Sequence, residues 1–235
     1  MQNKVSKTMP DCAGCSVSPR ERLCQKEGGK APDRCPTVTR GESIASALST
    51  MMEQPQLFEF AKQASIQEGE GYGNKDLGYE RLIPIKTRLA ETIEFAGKMG
   101  YKRLGLAFCM GLRAEAKVVS KLIAASGFEV VSATCKVGRI PKETLGINER
   151  QKIRIGCFEA MCNPVAQAFV LNDEKTEFNI VMGLCVGHDS LFLQHSAAPC
   201  TVLAVKDRML GHNPLAAIYT VNTYHRALKA LGEDQ

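Results

Sequence analysis

Ten cysteines punctuate this chain of 235 residues, and most fall into two groups by spacing. The first group is Cys12, Cys15, Cys24 and Cys35, in the pattern C-x2-C-x8-C-x10-C. Four thiolates in one short segment form a ligand set for Zn2+ or an iron–sulfur cluster, since both are soft acceptors held by sulfur. The stretch between Cys24 and Cys35 is too polar to build a core of its own. A bound metal is therefore the expected ordering force. Spacing does not separate zinc from iron, and with zinc a closed four-sulfur shell is structural.

The second group is Cys109, Cys135, Cys157, Cys162 and Cys185, with His188 close behind. Cys109, Cys135 and Cys185 each directly follow an apolar run of strand length: Lys102–Phe108, Glu129–Thr134 and Phe178–Leu184. Open parallel sheets bind ligands beyond the carboxyl ends of their strands, so three thiols converging on one rim predict a site. Singly, each would read as an ordinary buried cysteine. Cys135, Cys157, Cys162 and Cys185 are the expected ligands, and Cys109 is either a ligand or a reactive thiol. Cys200 opens a strand at the opposite rim and is expected in the core. Lys206-Asp-Arg-Met-Leu-Gly-His212-Asn-Pro214 follows the last strand. It adds Lys206 and His212 to His188 as acid–base or anion-binding groups, and a helix starting at Asn213-Pro214 would offer its amides to an anion. His195 and His225 fall on predicted helices and are expected to pack or face solvent.

Periodicity gives the scaffold for these residues. Residues 1–40 read as a cysteine-rich metal module. Residues 41–100 read as a helical segment packed on the α/β core. Ile44, Ala47, Leu48 and Met51 mark one helix face, Pro55 restarts the chain, and a third helix is expected from about Ile83 to Lys98 with Pro84 in its first turn. From residue 101 to 235 strand and helix signals alternate. Strands are expected at 102–108, 128–134, 178–184 and 200–206. Helices are expected at 112–125 (Ala116, Val119, Leu122 and Ile123 on one face), 163–171, 189–195 and 214–230. Asn163-Pro164 suits the cap and first position of a helix. The alternation predicts an α/β fold, a Rossmann-like doubly wound parallel sheet of four to five strands.

Composition narrows the function classes. An apolar share of 44% is that of a globular chain, and a net charge of +5 is spread among acids rather than gathered in a stripe, which argues against a nucleic-acid surface. No apolar run reaches the roughly 20 residues of a membrane span, and no signal-peptide pattern opens the chain. The expected compartment is the cytoplasm, where thiols stay reduced. Gly-x-Gly-x-x-Gly, the P-loop pattern, His-Glu-x-x-His and Gly-x-Ser-x-Gly are all missing, so dinucleotide, P-loop, zinc-peptidase and hydrolase readings lose their main support.

Four segments together, Cys12-Ala-Gly-Cys15, Cys157-Phe-Glu-Ala-Met-Cys-Asn-Pro164, Gly183-Leu-Cys-Val-Gly-His-Asp189 and Lys206 to Pro214, resemble a prokaryotic family of cysteine-rich proteins labelled only as metal-binding. The resemblance spans nearly the whole chain and implies metal binding by the cysteines, mostly in anaerobes, with no assigned reaction. The expectation is a metal-binding protein with an N-terminal four-cysteine site and a second, redox-active thiolate-rich site. A small anionic substrate or a redox partner would be its partner. One alternative is a thiol enzyme handling sulfur or reducing a small molecule through Cys109 or Cys185. Another is a zinc-dependent sensor or scaffold without catalysis.

Overall fold

The computed structural model describes residues 9–230. They form two compact units that part between Ser65 and Ile66, inside a helix.

The first unit opens with cysteine-bearing turns. Asp11 takes the amide of Gly14 at 2.9 Å and the Arg34 guanidinium at 2.9 Å, closing the first cysteine turn. Pairing of Leu23 with Lys30 and of Lys30 with Glu21 closes the next. Cys35 precedes Pro36, which starts a short helix, α1 (Pro36–Thr39). Then come α2 (Gly41–Glu53) and α3 (Pro55–Glu70), separated at Pro55 as expected. Ile44 and Leu48, on the predicted inner face of α2, stay about half exposed.

The second unit begins in the last turn of α3. The helix expected from Ile83 starts later. Ile83–Pro84 is a short strand, β2, paired antiparallel with β1 (Tyr72–Gly73). Proline is tolerated there because an edge strand has no need of its missing N–H. The helix proper, α4 (Arg88–Lys98), begins where the Thr87 hydroxyl accepts the Ala90 amide.

The main sheet has four parallel strands: β3 (Arg103–Phe108), β4 (Glu129–Thr134), β5 (Phe178–Leu184) and β6 (Cys200–Val205), in the order β4-β3-β5-β6. The chain runs outward from β3 to β4 through α5 (Arg113–Ala125). It returns past β3 to β5 through α6 (Pro164–Asp173), then reaches β6 through α7 (His188–His195). The direction of travel therefore reverses between β3 and β5, the kind of point beyond whose strand ends open parallel sheets bind ligands. This four-stranded, helix-flanked parallel α/β sheet is the predicted class.

Alternation sets the two faces. Ala107, Ala133 and Val181 point to the side where Ala168 and Leu171 of α6 and Phe192 of α7 close the core. Leu104, Leu106 and Ile180 fill the other face, with Ala116, Val119 and Ile123 of α5 buried beside them. Leu122, expected on that buried helix face, is 46% exposed, because it lies at the edge of the stripe rather than at its centre. The long terminal helix is also absent: α8 is Leu215–Tyr219 only, followed by turns and a 3-10 segment at Arg226–Ala230. The Thr220 hydroxyl turns back onto the Ala216 carbonyl at 2.7 Å, and the polar, β-branched run Thr220-Val-Asn-Thr223 favours such local bonds over another helical turn.

A candidate thiol centre at the strand ends

Strand register builds the centre. Ala107 lies opposite Ala133, and Phe108 opposite Thr134. One step further, Cys109 and Cys135 continue the same face on adjacent strands. Neighbouring strands are about 4.8 Å apart, so the two thiols become neighbours. Both ends are pinned: the Cys109 amide donates to Met182 O at 3.0 Å, and the Cys135 amide to Phe108 O at 2.9 Å. The side-chain amide of Gln167, fully buried on α6, donates to Phe108 O at 3.2 Å and to Ala133 O at 2.7 Å. It ties together the two strand ends immediately ahead of the cysteines, a positioning role that spacing did not reveal.

Cys162 arrives from the long β4–α6 connection. Residues 140–142 pair back on 159–161, and the Asn163 amide donates to Cys135 O at 2.8 Å. Asn163 also caps α6 through its side chain, 3.0 Å from the Ala166 amide. The loop is held by ion pairs: Lys142 with Glu159 at 2.7 Å, and Lys152 with Glu143 and Glu149.

The result is a chain of three sulfurs. The Cys135 thiol lies beside both Cys109 and Cys162 with one proton to share, and its sulfur accepts the Met110 amide at 3.3 Å. Two sulfurs on either side of one thiol, in a half-buried place, drive the protons inward. Cys135 is pushed well above the ordinary thiol range, first by Cys109 and then by Cys162 and burial. Cys109 falls to about 5 through Cys135, helped by the Gly111 amide and Lys206. Cys162 falls to about 5 through Cys135, helped by Lys136 and His188. The cluster therefore favours a thiolate at Cys109 or Cys162 beside the Cys135 thiol, the usual state of a nucleophilic or metal-ligating cysteine.

Cys185 does not join the three. A continuous strand would place it on the face of Val181. Gly183, at φ 70°, and register shifts on both sides of Met182 break the alternation, so Leu184 takes the core face and Cys185 lies past it. Its sulfur accepts the Arg208 guanidinium at 3.0 Å. Cys157 is exposed on the loop, and it is Cys109, not Cys157, that stands beside Cys135 and Cys162. Cys200 is half-buried, packed against the core cluster. His212, at φ 69°, accepts the Asp207 amide at Nδ1 (3.2 Å) and returns its own amide to Asp207 O; its ring is tied into the turn after β6. Each of the ten cysteines carries a free thiol.

In the first unit Cys12, Cys15, Cys24 and Cys35 all line one cavity of about 100 Å³. Four soft sulfurs around one small space fit Zn2+ or a cluster as a donor set. Among the described residues, no three His, Cys, Asp or Glu side chains already converge at metal-binding distance.

A family model described as a protein of unknown function (DUF1847) matches residues 35–203. The chain belongs to this family. The matched span takes in Cys109, Cys135, Cys162, Cys185 and His188, and stops short of Lys206. An uncharacterized protein of Methanocaldococcus jannaschii, MJ0455, is 51% identical to the chain over 135 residues, covering 57% of this chain and 68% of that protein. No solved structure matches. Among the described residues, no helix is long and apolar enough to cross a membrane.

Proposed function

We propose that this DUF1847 protein works through thiolate chemistry at Cys109, Cys135 and Cys162, with Cys109 and Cys162 as the ionised sulfurs and Cys135 as the shared proton donor. The supporting observation is that Cys109 and Cys135 end adjacent strands in register, with Cys162 brought beside Cys135. Lys206 beside Cys109 and Lys136 beside Cys162 stabilise the thiolates from the protein itself. The N-terminal quartet is proposed as a separate zinc or iron–sulfur site that orders its own segment.

A second reading rests on the same contiguity. Three thiolates holding a soft metal ion or cluster would leave one coordination position open, as reactive rather than structural centres do. In that case Cys109, Cys135 and Cys162 hold the group, which supplies redox or Lewis-acid chemistry.

Metal and sulfide analysis of protein purified without oxygen separates the readings, with mass-spectrometric mapping of cysteine labelling on the same samples. The thiol reading expects bound metal that disappears in a Cys12→Ser/Cys15→Ser variant, and Cys109 labelled faster than exposed Cys157. Metal retained in that variant and lost in Cys109→Ser/Cys162→Ser would establish the second reading. Cys109 labelling no faster than Cys157, with no metal bound there, would remove both.

A further inference from the structure

Positively charged side chains stand beside the thiols. Lys206 reaches Cys109, Lys136 reaches Cys162 together with His188, and Arg208 reaches Cys185. The three lysine and arginine side chains bring positive charge, against two sulfurs with depressed pKa. The nearby acids keep their charge but turn it to backbone amides: Asp207 accepts the Met209 and Leu210 amides, and Asp189 accepts the Ser190 amide. Among the described residues, the ion pairs fall on other lysines and arginines, not on these three.

Lys206 follows β6, and in the order β3-β5-β6 it must pass β5 to reach Cys109. It passes Gly183 of β5, where Leu112 fills the space of the absent Cβ and Lys206 Nζ lies 3.8 Å from that position. Gly111, exposed beyond β3, leaves a gap: a Cβ there would sit 3.6 Å from Lys206 Nζ and 3.8 Å from Cys109 Sγ. An atom at that point touches both the ammonium and the nucleophilic sulfur.

We propose that the centre takes a small anionic electrophile, a carboxylate or oxyanion, seated over Gly111 with its charge on Lys206 and its reacting atom on Cys109. This rests on the thiol reading above and adds the charge of the substrate. A cationic rim is how a thiolate site admits a substrate of its own sign, since unscreened like charges would otherwise repel it.

The test compares two alkylating probes of the same chemistry and different charge: iodoacetate and neutral iodoacetamide. In both, the sulfur–carbon bond forms as iodide leaves with the electron pair of the carbon–iodine bond. The rate ratio at Cys109, read by mass spectrometry at one pH, cancels the ionised fraction because the same thiolate attacks both. The expected result is a ratio well above that of free cysteine measured in parallel, falling roughly tenfold in Lys206→Met, as loss of one close charge implies. In Gly111→Ala, iodoacetate labelling should fall more than iodoacetamide labelling. That side chain meets its neighbours at ordinary van der Waals distances, so the variant should fold. Fast labelling of Cys109 by both probes with the ratio of free cysteine, or a ratio unchanged in Lys206→Met, would overturn the anion proposal and leave the thiol reading standing. Slow labelling by both would overturn the thiol reading itself.

Discussion

Cys109 and Cys162 share a neighbour and compete for its proton. Because Cys135 stays protonated, its one proton bonds a flanking sulfur most strongly as a thiolate, and hydrogen bonding to the charged form lowers a pKa. The sign is fixed by that preference: the thiolates should persist as pH falls from neutrality and be lost only near pH 5. Iodoacetamide labelling of Cys109 in metal-free protein is therefore expected to stay nearly flat between about pH 8 and 6, where an ordinary thiol with a pKa of roughly 8.5 loses most of its rate. Cys135→Ala removes the donor and should move the midpoint upward, and Lys206→Met should move it in the same direction. A midpoint that stays in place in both variants would show that neither group sets the ionisation.

At the scale of elements, the centre depends on how strand ends are held. Gln167 contributes nothing to the sulfurs directly, yet its buried amide joins the last carbonyl of β3 to the Ala133 carbonyl near the end of β4. Gln167→Leu keeps the approximate volume and removes both side-chain hydrogen bonds, leaving Phe108 O to the Cys135 amide. The expected cost is roughly 1–3 kcal/mol of unfolding free energy, read as a lower urea midpoint. Labelling of Cys109 should also approach that of an ordinary thiol once the strand ends separate. Loss of stability with unchanged Cys109 reactivity would make the residue a core donor only. Gly183 acts at the same scale, since it is the break in β5 that turns Cys185 away and makes room for Leu112.

Over longer stretches of chain, the centre also requires the long β4–α6 loop, which carries Cys162 back to β4. Glu159 is the pivot of that loop. Lys142 at 2.7 Å and the amides of Arg154 and Ile153 hold its carboxyl down to about 2, from an ordinary 4.5. A depressed carboxylate adds stability above its unfolded pKa and loses it as pH drops through the folded value. Here that window runs from about 4.5 down to about 2. Thermal melts of wild type and Glu159→Gln should therefore differ most at neutral pH and converge as pH falls below 4.5. A constant gap down to about pH 3, inside that window, would place the stabilising role outside ionisation.

Much was legible from residue order alone. Strand-length apolar runs ending in cysteines, the Asn163-Pro164 helix start and the alternation of strand and helix settle the parallel α/β class, because burial on both faces and helix capping leave local marks. The C-x2-C-x8-C-x10-C spacing likewise brings four cysteines to one cavity by short-range turns. Which sulfurs meet at the rim was decided only in three dimensions. Cys109 and Cys135 are neighbours because β3 lies beside β4 in register, while Cys162 joins them through a folded loop held by ion pairs. Cys185 falls away because a left-handed glycine interrupts the two-residue period. Register, strand order and a single break in alternation are long-range properties, and residue spacing carries no term for them.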